Sequence, residues 1–369
     1  MEVQKFLRQK GLEALKDDLL IRIKEYDDLI VLNYDQFNSP KSHPIVCECR
    51  GLILDRSFDV VSRSFDRFFN LGESGASSFD FRNSVLLEKL DGSLINIYFH
   101  AGRWHAATRG TAFAEMECSD TGKTFQKLVL ETLGFQSCDS FSEWFDSRFR
   151  IWRSHTFIFE LIGPENRVVT PYREKELVLL AVRAKETGDY APADMRQFRD
   201  TFNHPAIRLP KAYKADSYDE VMKLFGAFGP LDEGVVAYNA LTGIRIKIKR
   251  EEYMAVHRLC AQGVPGPKDV VRLIAMGEAD EVLAYFPEFK PDFDKYQAAY
   301  DSFIEDIENT YASVKDIEVQ KDFALAVKDC AFSSILFRHR QGGKPIKELV
   351  NGLPEDMLIK MIEYYLAGS

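Results

Sequence analysis

Between Val3 and Ile23 the apolar residues Phe6, Leu7, Leu12, Leu15, Leu19 and Leu20 return at helical spacing, which predicts one or two short N-terminal helices. The period then shortens to that of strands. Residues 45–55 and 60–63 read as two strands joined by a turn at 56–59, and further strands are expected at 85–88, 94–99, 104–108, 156–161, 177–182, 234–238 and 244–248. Helices are expected between them at 111–134 and 216–225. The links 100–103 and 239–243 are short and polar, which favours antiparallel sheets with inserted helices over a parallel alternation. After about Glu251 the strand signal fades, and helical spacing takes over at 269–275, 278–285, 293–311, 321–337 and 346–366. The expected fold class is α+β: a domain of antiparallel sheets with flanking helices over residues 1–258, then an all-helical C-terminal domain over 259–369, with the seam in the turn-rich stretch 262–267.

Composition changes this picture in three places. A chain of 369 residues that is 46% hydrophobic and 28% charged has room for about two domains of ~100–200 residues each. Its net charge of -9 excludes nucleic-acid binding through overall positive charge, so any such site has to be a local basic patch. Six cysteines without regular spacing do not form a disulfide framework, and reduced thiols are expected. Residues 1–17 mix charges with apolar side chains, and no window approaches ~20 uncharged apolar residues, so a cytoplasmic protein with no membrane partner is expected.

The chemistry-bearing residues lie at strand ends. In Lys89-Leu90-Asp91-Gly92-Ser93 a lysine leaves one strand through a turn whose glycine permits close backbone approach. By itself such a lysine is an ordinary surface residue. Downstream come Glu160, a carboxylate inside the apolar run Phe157–Ile162 and expensive to bury unpaired, and Glu233, an acid entering a strand. In Ile246-Lys247-Ile248-Lys249 the strand period places both lysines on one face.

In this order, Lys-x-Asp-Gly, Phe-Glu, Glu-Gly and Lys-x-Lys resemble the motifs of the covalent nucleotidyltransferase superfamily of polynucleotide ligases and capping enzymes. The flanking sequence narrows the resemblance: Glu48-Cys49-Arg50-Gly51, Phe68-Phe69-Asn70, Asn166-Arg167-Val168-Val169 with Tyr172, 179–183, and Tyr253 and His257 after the paired lysines. These resemble the T4-type RNA ligase 1 family along most of the chain, and a helical C-terminal domain fits that family better than the oligonucleotide-binding barrel of DNA ligases and capping enzymes. The resemblance implies an ATP-dependent RNA ligase, active in RNA repair such as tRNA repair. It would join RNA 5′-phosphate and 3′-hydroxyl ends through a lysine–AMP and an RNA–adenylate intermediate. An AMP transferase acting on a protein or metabolite and a non-catalytic RNA-binding relative are the alternatives.

The same resemblance implies roles for residues. Lys89 would be the nucleophile; since a free lysine has a pKa of about 10.4, it needs cations or a metal nearby, which Lys247, Lys249 and Mg²⁺ would supply. Asp91, Glu160 and Glu233 would contact ribose or hold hydrated Mg²⁺, with Mn²⁺ as a substitute. Arg50, Arg67 and Arg109 would bind phosphate, the last two standing where lysine is common in the family; an arginine binds phosphate through a planar fork. Gly92 would let the nucleotide lie close, Val236 would pack against adenine, and Glu88 would accept from the adenine amino group or simply end a strand. A second metal would be held by Asp280 and Glu281, which otherwise form a charged first helical turn. Arg338, His339, Arg340, Lys344 and Lys347 form a basic cluster in the tail that would touch RNA or simply be a solvated helix end, the commoner source of such a run. A monomer is expected.

Overall fold

The structure, a computed structural model, describes residues 1–36, 38–73, 79–118, 121–191, 195–229, 231–262 and 266–367, and within them all side chains but those of 259–262, 281, 284, 285, 355 and 367. These residues gather into two compact units: Met1–Phe228 with Asp232–Arg250, and Gly229–Leu231 with Glu251–Ser369. The first holds every described strand and the second is helical, so the α+β class and the helical C-terminal region are as expected.

In the first unit the helix Glu2–Leu19 buries Val3, Leu7, Leu15 and Leu19. It packs on an antiparallel sheet ordered Ile21–Glu25, Leu29–Tyr34, Arg50–Asp55, Val60–Ser62. The segment Glu2–Leu19 is two short helices meeting at a kink at Gly11, within the one or two expected, and Leu20, left-handed with φ 54, stops the second, so Ile21 and Ile23 belong to a strand. The strand expected from residue 45 begins only at Arg50. Pro44 occupies the first turn of a short helix, Pro44–Glu48, where its fixed φ suits helix initiation.

The second sheet is ordered Ile207–Arg208, Glu176–Ala184, His155–Ile162, Ser93–His100, Arg103–Ala107. Strand alternation gives it two distinct faces. Phe157, Phe159 and Leu161 join Ile95, Ile97, Leu177 and Leu179 in the largest core, beneath the helices Phe125–Thr132, Cys138–Phe149 and Met195–Phe202. Phe145 fills the centre of that core, with ring centroids 4.5 Å from Trp104 and 5.0 Å from Phe157. The opposite face carries Ile158, Glu160 and Ile162. A register shift between Leu179 and Ala181 changes the phase of the neighbouring strand, so Val182 rather than Ala181 reaches the large core.

The third sheet is ordered Ala212–Tyr213, Ser84–Glu88, Gly234–Asn239, Arg245–Lys249, Phe69–Asn70, with the helix Tyr218–Phe225 packed on one face. The helix expected over 111–134 is only Phe125–Thr132. It starts where the Thr124 side chain accepts from the Lys127 N–H at 3.2 Å, after a left-handed Gly122; the buried residues Ala112 and Ala114 before it belong to an irregular segment.

The helical unit contains Glu251–Gln262, Pro267–Met276, Ala279–Tyr285, Lys290–Val314, Gln320–Val327, Ser333–Gly342, Ile346–Asn351 and Glu355–Ala367. The helices expected at 321–337 and 346–366 are each broken, the second at Gly352-Leu353-Pro354, where proline cannot continue the hydrogen-bond ladder. Most of the expected seam, 263–265, lies outside the described residues. Among the described residues no helix is long and apolar enough to cross a membrane.

All three tryptophans, Trp104, Trp144 and Trp152, lie in the first unit, so their emission reports its unfolding alone. Phe145→Ala should lower the stability seen by tryptophan fluorescence in urea by about 3–5 kcal/mol, as expected for a truncated, fully packed phenylalanine.

Candidate active site

The chain passes from the third sheet to the second through Lys89–Gly92, between the strands Ser84–Glu88 and Ser93–His100. Register is fixed on both sides: the Glu88 N–H donates to the Lys211 carbonyl at 2.8 Å and the Lys89 N–H to the Gly234 carbonyl at 3.0 Å. Two glycines make this crossing possible. A β-carbon on Gly92 would stand 2.3 Å from the Leu161 carbonyl oxygen, and one on Gly234, at φ 135, would stand 2.2 Å from that of Ile248. Backbone occupies the space that any side chain would need.

Glu233 is the centre of the arrangement. Its carboxylate is only 4% exposed; one oxygen lies 2.6 Å from Lys89 Nζ and the other 2.7 Å from Lys249 Nζ. Lys247 stands one strand period from Lys249, opposite Val236, so these side chains share a face. Burial, then the charges of Arg50, Lys89, Lys249 and Arg67, push the Lys247 ammonium down to about 7.

Glu160 faces the same space. Burial pushes its carboxyl up to about 7, with Lys89 and Arg50 opposing the shift and Glu233 and Asp91 adding to it. Asp91 is held differently: its carboxylate accepts from the Val169 N–H at 2.7 Å and the Thr170 N–H at 2.8 Å, while its own N–H donates to the Tyr172 hydroxyl at 3.1 Å. Asp91 thereby ties the loop 169–172 to the lysine turn.

The arginines bring unsatisfied donors. Arg50 Nη1 and Arg67 Nη1 are both buried without a hydrogen-bond partner. Burial and then neighbouring Arg109 lower the Arg50 guanidinium from its ordinary value. Phe68 lies between cations, with Arg50 5.8 Å and Lys247 4.9 Å from its ring centroid, and Arg67 stacks at 4.4 Å on Phe69. Buried donors without acceptors are costly, and an anion is what can accept from them. These groups therefore fit a polyphosphate.

Not every candidate converges. The Glu88 carboxylate accepts from Arg208 Nη1 at 2.9 Å and from the Lys211 N–H at 3.1 Å, and Arg208 also reaches Glu176 at 2.7 Å. Asp280 is exposed near the start of a helix in the other unit, and the Glu281 side chain lies outside the described residues. Among the described residues no group of three His, Cys, Asp or Glu side chains forms a ready metal cage. The oxygen donors suit Mg²⁺ in the way that ion is usually held, by one or two carboxylates with water and substrate phosphate completing the shell. Sequence reasoning missed Arg208 and Glu73; the latter lies 3.3 Å from Arg67 and accepts from Asn70 at 2.6 Å. Their only sequence signal was proximity to the Phe-Phe-Asn run or to a strand end.

A lysine held by a buried carboxylate, flanked by paired lysines and by arginines with unsatisfied donors, is the kind of site that handles nucleotide phosphate. A family model for RNA ligases of T4 type 1 matches residues 48–253, which contain all of these groups. The chain belongs to the T4-type RNA ligase 1 family. It is 38% identical over 318 residues to a candidate bifunctional polynucleotide kinase/RNA ligase of Autographa californica nuclear polyhedrosis virus, covering 82% of this chain and 44% of that protein. The chain thus spans less than half the length of this viral relative. An RNA ligase of Rhodothermus phage RM378 is 25% identical over 370 residues, covering 80% of this chain and 81% of that one. A candidate RNA ligase of Thermovibrio ammonificans is 26% identical over 291 residues, covering 75% and 70%.

Two outcomes test this geometry. Gly92→Ala should cost about 1–3 kcal/mol by tryptophan-monitored unfolding, whereas Gly110→Ala, with open space around its β-carbon, should not. Lys247 is lowered from 10.5 to about 7, so the unfolded chain holds more protons than the folded one between these values and stability from this group rises with pH across that window. Lys247→Met should therefore be more stable than the parent at pH 6, with the gap closing as pH climbs from about 7 toward 10.5; parallel pH curves would remove Lys247 from the buried set.

Proposed function

We propose that this protein is an ATP-dependent RNA ligase and that Lys89 is its nucleophile. The observation that carries the reading is Glu233 bridging Lys89 and Lys249 beside the orphaned donors of Arg50 and Arg67. Lys89 Nζ attacks the α-phosphorus of ATP, forming a P–N bond as the bond to pyrophosphate breaks. The nearest acceptor for the ammonium proton is Glu233 Oε2, at 2.6 Å. Lys247, Lys249 and Arg50 offset the charge that develops on the phosphates, in a low-dielectric site where fixed cations act strongly. Val236, on the same face as Lys247, offers an apolar surface for adenine.

AMP then passes to the 5′-phosphate of an RNA, regenerating the Lys89 amine. An RNA 3′-hydroxyl displaces AMP and closes the phosphodiester. Mg²⁺, held by Glu160 and Glu233 together with ATP phosphate, would supply electrostatic stabilisation of the reacting phosphate. Asp91 orders the loop 169–172 beside the nucleophile, and Arg67 and Arg109 bind phosphate. The helical unit with its Arg338–Lys347 basic cluster engages structured RNA, with a broken tRNA as a fitting substrate.

Incubation with α-labelled ATP and Mg²⁺ should place label on the wild-type chain and none on Lys89→Ala. A chase with 5′-phosphorylated RNA should discharge the label, and RNA lacking that phosphate should not. Absence of label on the wild type would overturn the enzymatic reading. A label that ignores RNA would replace the ligase by a transferase for another acceptor.

A further inference from the structure

The strand Arg245–Lys249 carries its cations at every second position, and the face of Lys247 and Lys249 continues to Arg245. Strand rise places Arg245 about 13 Å from Lys249 along that face. Its guanidinium is enclosed by rings: Tyr238, its cross-strand partner, at 3.9 Å, Tyr190 at 4.0 Å and Phe65 at 5.1 Å. These rings continue to the lysines, for Phe65 packs edge-on against Phe68, which lies under Lys247.

Charge around Arg245 is out of balance. Among the described residues no carboxylate pairs with it. The adjoining Arg183 is consumed by Asp66, at 2.7 and 3.0 Å, and by the carbonyls of Ser64 and Gly188. Arg63 reaches the same Asp66 at 3.4 Å, so two guanidiniums share that carboxylate and Arg245 has no part in it. Glu48, which acts on Arg63 and Arg183 from further away, is itself bonded to the backbone N–H groups of Glu2 and Val3. Arg63 is only 8% exposed, yet its Nε has no partner; neither has the hydroxyl of Ser64, 3% exposed. Rings stabilise a guanidinium through its faces; the Tyr238 hydroxyl also accepts from Arg245, and the other in-plane N–H groups remain for an acceptor that carries charge.

We propose that Arg245, held by Tyr190 and Tyr238, is a third phosphate-binding position on the Lys247–Lys249 face, taking a phosphate group beyond the one at the nucleophile. This rests on the ligase reading for the identity of the ligands, though not for the existence of the site. Two sources share the chemistry: a backbone phosphate of the RNA strand, and the distal phosphates of ATP.

Equilibrium binding to the whole chain separates them, using ATP in one arm and a 5′-phosphorylated RNA oligonucleotide in the other. Arg245→Gln should weaken one of the two at least tenfold. If RNA is the ligand, the slope of log K against log salt should also fall by about 0.7, the contribution of one phosphate contact to a single strand. If ATP is the ligand, its affinity should fall while that of AMP stays unchanged. Arg245→Lys should restore part of the loss, because a cation remains. Unchanged affinity for both ligands in an Arg245→Gln protein with parental thermal unfolding would overturn the proposal, as would equal losses for ATP and AMP without a change in RNA salt slope. If Arg245→Gln fails to fold, Arg245→Lys carries the same comparison, a graded loss being expected and parental binding of both ligands being fatal. Label transfer through Lys89 is read separately, so a wild type that binds phosphate at Arg245 but takes no label refutes the ligase reading and leaves this site standing.

Discussion

The first unit turns on one buried carboxylate held between two ammonium groups. Removing either partner of such a contact leaves a charge with nothing to offset its lost hydration, which is far more costly than the pair itself is stabilising. Glu233 is bound to Lys89 on one sheet-to-sheet crossing and to Lys249 at the end of a strand. The next residue, Gly234, accepts the Lys89 N–H and lacks the side chain that would collide with Ile248. Charge pairing and backbone register are thereby set by two consecutive residues, so Lys89 is positioned by the same contacts that align the sheet.

Around this contact the local charge reverses that of the chain. Arg50, Arg67, Arg109, Lys89, Lys247 and Lys249 face Asp91, Glu160 and Glu233, with Glu73 on Arg67, although the protein carries a net charge of -9. Burial first, and then the neighbouring cations, lower the affinity of Lys247 for its proton. Such an arrangement is poor for stability and good for a polyanion. Local rules of satisfaction are broken where a ligand would satisfy them.

Much of this was legible in the sequence, for a physical reason. A strand has a period of two, so Lys247 and Lys249 had to share a face, and Glu160 had to oppose Phe159 and Leu161. The strand–turn–strand pattern placed Lys89 and Gly92 at a turn, and only the order of the downstream acids and paired lysines set that lysine apart from a surface one. What escaped depended on contacts distant in sequence or on single local stops. Nothing near Glu88 announces Arg208, 120 residues away, as its partner. The strand Ile21–Glu25 was hidden behind the helical spacing that precedes it, because the left-handed Leu20 carries no sequence mark as glycine would. Helical periodicity across 111–134 and 346–366 was real but over-extended, since periodicity cannot see a cap at Thr124 or a break at Pro354.

The two shifted groups at the site also constrain how it must work. Glu160 and Lys247 both sit near pH 7, one a carboxyl displaced upward and the other an ammonium displaced downward, each chiefly by burial. For the acid, stability is lost as pH rises from 4.5 to about 7; for the lysine it is regained from about 7 to 10.5. The contribution of these two groups to stability is thus lowest near neutrality, where each is about half charged. A phosphate beside Lys247 would favour its ammonium, and a cation beside Glu160 would favour its carboxylate. A metal–polyphosphate pair bound beside both groups would therefore move their protons in opposite directions, and the net proton uptake would be small.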